Sequence, residues 1–384
     1  MQRISVLAPD NTPLMPTKHT RAEKWVEQGK AEWVNSNLRI KAVRLLEEAS
    51  GRDTQPIALG MDPGKHYAGM GVQSAKATLF VAHLMLPFET VRERMDNRRL
   101  LRRGRRCRRI DRTIPFAERA HRQKRFDNRR QKQVPPSIRS NRQLEYRVAQ
   151  ELCRLFPISA IVYEYVTADV DLTSGGKGAR SGKGFSPVML GQKYAVERLS
   201  ELAPVRQLEG WQTAAIRQQL GLEKQKHSKG ETKPETHAVD GMALACSEFL
   251  QYQSFQAANS HGKHGVGSVN LTSTPFVAIR RPPISRRQLH LMVLGKNGIR
   301  RKYGGTIPRH GFRKGDLVRA EMAGRIDLGY VSGDTARQVS VSDCNWKRIG
   351  QFTASKVQCL YRATGLLVTC PQRVSVVSAL NSVA

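Results

Sequence analysis

Residues 98–109 read RRLLRRGRRCRR: eight arginines, no acid, and apolar segments on either side of the run. A helix drawn through them carries charge on every face, so it has no apolar stripe with which to pack on a core. Arg and Gln are good helix formers, and residues 92–132 contain a single proline, Pro115. The spacing therefore predicts a long helix over 92–132 that lies along a polyanion. The guanidinium fork matches phosphate in a two-pronged way that an ammonium group cannot. A solvated basic tail is the bland alternative, and the internal position argues against it.

The charge is segregated. The 384 residues hold 64 Lys and Arg against 32 Asp and Glu, a net +32. Residues 92–132 contribute 18 basic and five acidic side chains, and residues 271–384 contribute 19 and five. The rest is nearly balanced, so two basic surfaces are attached to an ordinary body. No apolar run is long enough to span a bilayer, and MQRISVLAPD has no signal-peptide core. Membrane and secreted readings are poor, and a cytoplasmic location is expected. The six cysteines form no C-x-x-C pair, which makes a zinc module a poor reading. Aromatics are 6% of the chain, so nucleic-acid contact is expected to be mostly to phosphate and sugar.

Around the basic run lies a different kind of sequence. Residues 57–61, 66–72 and 77–86 read as three strands, followed after the run by a helix with Leu144, Val148, Leu152 and Leu155 on one face. Residues 158–166 read as a strand, 188–202 as a helix, 204–209 as a short strand, 211–222 as a helix. A last helix is predicted over 232–250, opened by a Thr232-x-x-Glu235 capping box. Acids stand at three separated places in this order: Asp62 ending the first strand, Glu164 on the fourth, Asp240 early in the last helix, with His237 one turn before it. Three carboxylates from separate elements can converge on two hard divalent cations, which activate water and stabilise the leaving oxygen of a phosphodiester. His237 beside them would position the water or assist proton transfer. Singly, each has a bland reading: Asp62 as a turn acid, Glu164 as an edge residue with Asp169 and Asp171 as competitors, His237 and Asp240 as surface groups at a helix start. Residues 271–384 alternate β-rich runs with Gly turns, predicting a small antiparallel sheet or barrel, and the polar residues 251–270 read as a linker.

The motifs GMDPGKHYAGMGV, IVYEYV and HAVDGMALA resemble the three parts of a split RuvC nuclease, and the arginine-rich insert resembles the bridge helix of RNA-guided nucleases. Pro13-Leu14-Met15-Pro16 is similar to the PLMP segment that opens the IscB and IsrB proteins. An HNH module, which IscB carries between the second and third RuvC motifs, needs a catalytic His and metal ligands. Residues 165–236 supply one His, His227, and no Cys, so the resemblance is to the HNH-lacking IsrB branch.

That resemblance implies an α/β fold: a split RNase H-like (RuvC) core with an inserted arginine-rich bridge helix, a small N-terminal PLMP domain and a C-terminal β-rich domain. The implied layout is a PLMP domain over 1–52, RuvC part I over 53–90, the bridge helix over 91–132, and RuvC parts II and III over 133–252. A linker over 253–270 and a basic β-rich domain over 271–384, contacting the target-adjacent motif, complete it. It implies an RNA-guided DNA endonuclease that nicks the non-target strand of a double-stranded DNA target, guided by an ωRNA, as a monomeric protein in a ribonucleoprotein without membrane association. Asp62, Glu164 and Asp240 would hold two Mg²⁺ ions, with Mn²⁺ as a substitute, and His237 would act on the water. Arg98, Arg99, Arg102, Arg103, Arg105, Arg106, Arg108 and Arg109 would grip the guide backbone. Arg280, Arg281, Arg286 and Arg287 are clustered candidates in the C-terminal block, with phosphate contact the expected role. Lys18, His19 and Arg21 read equally as RNA contacts or packing residues, whereas the loop 174–184 reads as a flexible connector ahead of a phosphate contact.

Two other classes compete: a guide-independent junction-resolvase-type nuclease, and a catalytically inactive RNA-binding accessory protein. All three bind nucleic acid through phosphate, so affinity is expected to fall steeply with salt. Filter binding at 50 and 200 mM NaCl checks this; affinity that is flat between them would contradict the charge argument.

Overall fold

A computed structural model describes residues 3–107, 111–118, 133–167, 186–222, 234–257, 260–274, 276–283, 289–293, 298–302 and 310–369. The chain divides into two compact bodies, the first built from residues 1–86, 141–281 and 368–384 and the second from 87–140 and 282–367. Among the described residues no helix is long and apolar enough to cross a membrane.

The first body opens with a small module. Strands β1 (Arg3–Leu7), β2 (Pro13–Lys18), β3 (Ala31–Asn35) and β4 (Lys41–Leu45) form a sheet in the order β2-β1-β4-β3, with helix α1 (His19–Glu27) between β2 and β3. Ile4, Val6, Leu14, Ala22, Ala31 and Val43 close its core. The Leu14 of the PLMP segment is thus a packing residue. Asn37 donates to Glu151 at 3.0 Å, which ties the module to α3 (Pro136–Leu155), the helix read from Leu144, Val148 and Leu152.

The larger sheet begins with β5 (Ile57–Pro63), β6 (Tyr67–Ser74) and β7 (Ala77–Met85), an antiparallel meander. β8 (Ala160–Glu164) pairs parallel with β5, and β9 (Val205–Leu208) parallel with β8. Helix α4 (Pro187–Leu199) joins β8 to β9, and α5 (Gly210–Gln219) and α6 (Pro234–Cys246) follow. Ile57, Ala58, Leu59 and Met61 are all buried, as expected of a strand covered on both faces. Thr232, the proposed cap of α6, lies outside the described residues.

Two of the expected boundaries differ. Residues 253–270 are not a plain linker: β10 (Gln251–Ala257) and β11 (Ser260–Val266) pair in an antiparallel hairpin. Polar composition signals a loop only where the backbone has no partner strand, and here the ladder satisfies it. β12 (Phe276–Arg280), expected in the C-terminal domain, pairs parallel with β7, giving the order β12-β7-β6-β5-β8-β9. Its run FVAI suits a parallel strand flanked by apolar neighbours.

In the second body, α2 (Phe88–Cys107) covers the start of the arginine-rich block. The helix expected over 92–132 is not continuous. Residues 111–118 are bends and turns around Pro115, with Asp111 accepting from the amide and hydroxyl of Thr113. Residues 108–110 and 119–132 lie outside the described residues. The C-terminal runs form a hairpin, β13 (Leu289–Val293) with β14 (Gly298–Lys302). They also form a five-stranded antiparallel sheet in the order β18-β17-β16-β15-β19, made of β15 (Leu317–Met322), β16 (Arg325–Asp334), β17 (Gln338–Ser342), β18 (Arg348–Thr353) and β19 (Val357–Tyr361). Val318, Ala320, Val331, Val339, Val341 and Phe352 fill its core. Asp316, fully buried, accepts from the amides of Arg313 and Ala363 and from the Arg362 guanidinium.

α6 lies directly on the backbones of β5 and β6. A side chain on Gly60 would overlap the Gly241 carbonyl and the Ala245 amide, one on Gly69 the His237 carbonyl, and one on Gly71 would stand 2.6 Å from the Met242 Cα. Gly241 itself leaves 2.7 Å for such an atom before Met70. These glycines are required by contact distance. Gly71→Ala is expected to cost about 1–3 kcal/mol or more, because helix and strand must separate along their length. Urea unfolding checks it; an unchanged midpoint would show that α6 can shift at no cost.

Candidate active site

The row of residues under the N-terminal half of α6 is set by register. Asp62 on β5 faces Gly69 on β6, and Gly69 faces His83 on β7. On the other side Met61 pairs with Tyr163, so Asp62 and Glu164 come next on neighbouring parallel strands, at their carboxyl ends. Side chains alternate along a strand. Asp62 therefore shares a face with Gly60, the face that α6 covers, and Glu164 shares one with Val162, which belongs to the core packed on α6.

α6 brings His237 into this row. Its Nδ1 stands 3.4 Å from Asp62 Oδ2, with both side chains mostly buried. Tyr67, His83 and His237 form a ring cluster, with His237 5.6 Å from each of the other two and Tyr67 4.9 Å from His83. Among the described residues His237 Nε2 and His83 Nδ1 are buried without a hydrogen-bond partner. Burial, and then the neighbouring His237, holds the His83 imidazole down to about 3, so His83 is neutral.

Beyond Asp62 the turn is pinned by α3. Arg142 donates to the Gly64 carbonyl at 2.8 Å, to the Tyr163 hydroxyl at 3.0 Å and to Glu145 at 2.8 Å, while Asn141 donates to the Lys65 carbonyl. Burial pushes the Glu145 carboxyl up to about 7, against the pull of Arg142.

The remaining two acids are held by α5. Thr213 Oγ1 donates to Glu164 Oε2 at 2.7 Å, and a side chain on Gly210, the first residue of the helix, would stand 3.3 Å from the other carboxylate oxygen. A helix N-terminus favours that charge. Arg217 Nε stands 2.8 Å from Asp240 Oδ1, on a carboxylate only 5% exposed. Asp62 and His237 are therefore in contact, Glu164 is in the adjacent strand position, and Asp240 is turned to Arg217. Among the described residues no group of three or more His, Cys, Asp or Glu side chains is placed to hold a metal ion. In this arrangement Asp62, Glu164 and Asp240 do not fit the two-magnesium centre that the resemblance implies. The reason is local: α5 engages two of the three acids.

Of the eight arginines at 98–109, the side chains of Arg98, Arg99, Arg102 and Arg103 are described, and all four are exposed on α2. Arg99 reaches Asp96 at 3.1 Å. No side-chain placement is described for Arg105, Arg106, Arg108 and Arg109, and the loop 174–184, Asp169, Asp171, Arg286 and Arg287 lie outside the described residues. Arg280 and Arg281 are half-buried at the end of β12, and burial lowers the Arg281 guanidinium. His19 pairs with Glu23 and Arg21 lies over Trp25, both within the N-terminal module.

Sequence reading missed His83, Tyr67, Arg142, Glu145, Thr213 and Arg217. A lone His inside the apolar strand ATLFVAHLML was the one available signal. The rest look like ordinary amphipathic-helix or strand residues until the strands are in register.

The folded His83 lies below its usual 6.5, so its contribution to stability is full above pH 6.5 and is lost as pH falls toward 3. His83→Gln is expected to remove roughly 3 kcal/mol of the stability change between pH 6.5 and 4. Urea titrations of both proteins check it; parallel acid limbs would place the acid sensitivity elsewhere.

Residues 4–184 match the family model described as RRXRR protein, and the pattern in that name can be read at 102–106 (RRGRR) and again at 105–109 (RRCRR). A comparison with curated proteins found no match. Among solved structures, Thermus thermophilus RuvC in complex with a Holliday junction substrate is similar over 50% of this chain and 90% of its own, at 13% identity and a TM-score of 0.26. A second Thermus thermophilus RuvC structure gives 12%, 49%, 90% and 0.26 for identity, the two coverages and TM-score. A CRISPR-Cas12f ternary complex is similar over 60% of this chain and 49% of that one, at 14% identity and a TM-score of 0.31.

Proposed function

We propose that this chain is an RNA-guided DNA endonuclease of the IsrB type, which nicks the displaced, non-target strand at the Asp62 row. The observation that carries the reading is the Asp62–His237 contact at 3.4 Å, made by residues from the first and third RuvC-like motifs, with Glu164 of the second motif on the adjacent strand. The RRXRR match over residues 4–184 supports it as well, as do the exposed arginines of α2.

In this reading the imidazole takes a proton from the water whose oxygen bonds to phosphorus, and the bond from phosphorus to one sugar oxygen breaks. That leaving oxygen takes a proton from solvent, and the Asp62 carboxylate stabilises the charged ring that results. Arg142 holds the turn after Asp62 and so fixes the carboxylate that orients His237. His83, kept neutral by burial, adds no repelling charge when His237 gains its proton. The arginines of α2 grip RNA backbone through phosphate, and base pairing reads the DNA sequence. Mg²⁺ dependence, the ωRNA partner and a single nuclease centre belong to the same reading.

The test is a labelled duplex, a matched guide and Mg²⁺. The native protein is expected to cut only the unpaired strand, and Asp62→Asn to lose cutting while retaining the co-purified RNA. Nicking that persists in Asp62→Asn would remove the site assignment. Cutting of both strands would reveal a second centre, and purification without a discrete RNA would favour a guide-independent nuclease.

A further inference from the structure

Two of the four tryptophans lie in the small N-terminal module, at 25 and 33. Trp25 packs on the module core, with Arg21 over its ring at 5.2 Å. Trp33 stays at the surface. It stands on β3, an edge strand of the order β2-β1-β4-β3, and is 41% exposed. Side chains alternate along a strand, so Trp33 shares a face with Ala31, which meets Ala22 of α1 in the core. The His19 ring, at the start of α1, is 6.1 Å from the Trp33 ring and tilted by 38°. From β4 the Lys41 ammonium comes to 5.8 Å from the Trp33 centroid.

Register gathers positive charge at the same end of the sheet. Arg3 pairs with Lys18 and Asn35 with Lys41, while β1 runs parallel to β4 with Ser5 beside Ala42. Arg3, Lys18 and Lys41 therefore stand along one end of the module, next to the ring. The acids nearby are engaged: Glu23 is 3.1 Å from His19, and Glu32, on the opposite face of β3, pairs with Arg44.

We propose that Trp33 is a stacking platform for an unpaired base of an RNA strand, whose phosphates lie on Lys18, Lys41 and Arg3. An aromatic face accepts any base, and a basic rim tracks the backbone. Trp211 shows the opposite setting. It is 54% exposed, but its indole N–H donates to the Glu209 carboxylate, an acid where the phosphate would have to come. RNA is the occupant because its loops and bulges offer unstacked bases at all times, whereas a DNA duplex offers them only once opened. The proposal deepens the RNA-guided reading above and rests on it for the partner. It adds a base contact to a protein whose other contacts are read as phosphate contacts.

The test has two arms, both on the full chain. In the first, the protein freed of nucleic acid is titrated with a short single-stranded uridine RNA, which barely stacks on itself, and with an abasic RNA of the same length. The native chain is expected to prefer the base-bearing strand. Trp33→Ala is expected to lose roughly tenfold of that preference, about 1.4 kcal/mol, with its affinity for the abasic strand unchanged. Trp33→Phe keeps a ring and is expected to keep most of the preference. Lys41→Gln is expected to weaken both strands alike and to lower the salt slope by about one. A preference that Trp33→Ala leaves unchanged overturns the platform, and so does native binding that is equal for the two strands. In the second arm, the protein with its co-purified RNA is irradiated, digested with trypsin and weighed. The peptide 31–39 (AEWVNSNLR) has Trp33 as its sole aromatic, and it is expected to carry a ribonucleotide. A deoxyribonucleotide there, seen only after target DNA is added, overturns RNA as the occupant. No adduct on 31–39 while other peptides carry them overturns the platform even if Trp33→Ala fails to fold. A native chain that binds neither strand sinks the nucleic-acid reading, and the platform with it; equal binding of both strands sinks the platform alone.

Discussion

The close seating of α6 on β5 and β6 is the constraint from which the site follows. Gly60, Gly69 and Gly71 strip the strand face of side chains, and Gly241 does the same for the helix. The helix can then lie against the backbone itself. The polar row of the sheet is brought within reach of a helix 175 residues away in sequence, which is how His237 meets Asp62. A helix held at ordinary side-chain distance would leave the ring and the carboxylate apart. The motif glycines and the motif acids are therefore parts of one device, the former making room for the latter.

Electrostatics divides the molecule by element. In the first body the four acids around the site each have an assigned neighbour: Asp62 with His237, Glu164 with Thr213, Asp240 with Arg217, Glu145 with Arg142. In the second body Arg92, Arg98, Arg99, Arg102 and Arg103 of α2 are exposed. Buried charge demands a partner within the fold, whereas exposed charge of one sign demands a partner outside it. The chain carries a net charge of +32, and in the proposed reading its positive surface meets a polyanion.

The element order over 57–250 could be read from sequence because each element carries its own periodicity: apolar runs for β5, β7 and β8, a repeating apolar face for α3 and α6. The failures share a cause. Residues 253–270 look like a linker by composition, yet a hairpin forms because two polar stretches satisfy each other's backbone groups. β12 reads as part of the C-terminal set, but its partner is β7, nearly 200 residues earlier. The arginine-rich block reads as one helix because Arg favours helix throughout, while Asp111, Thr113 and Pro115 make a local turn strong enough to interrupt it.

The sequence by itself determined which residue types were available for chemistry and where the charge lay: three acids and a His on separate elements, and a run of arginines with no face to bury. These are properties of composition and local periodicity. Tertiary structure alone decided which acids are near which. Register across four strands puts His83, Gly69, Asp62 and Glu164 in one row, and the packing of α5 on α6 gives Asp240 to Arg217. Pairing of that kind depends on distances between segments far apart along the chain, and no local pattern encodes them.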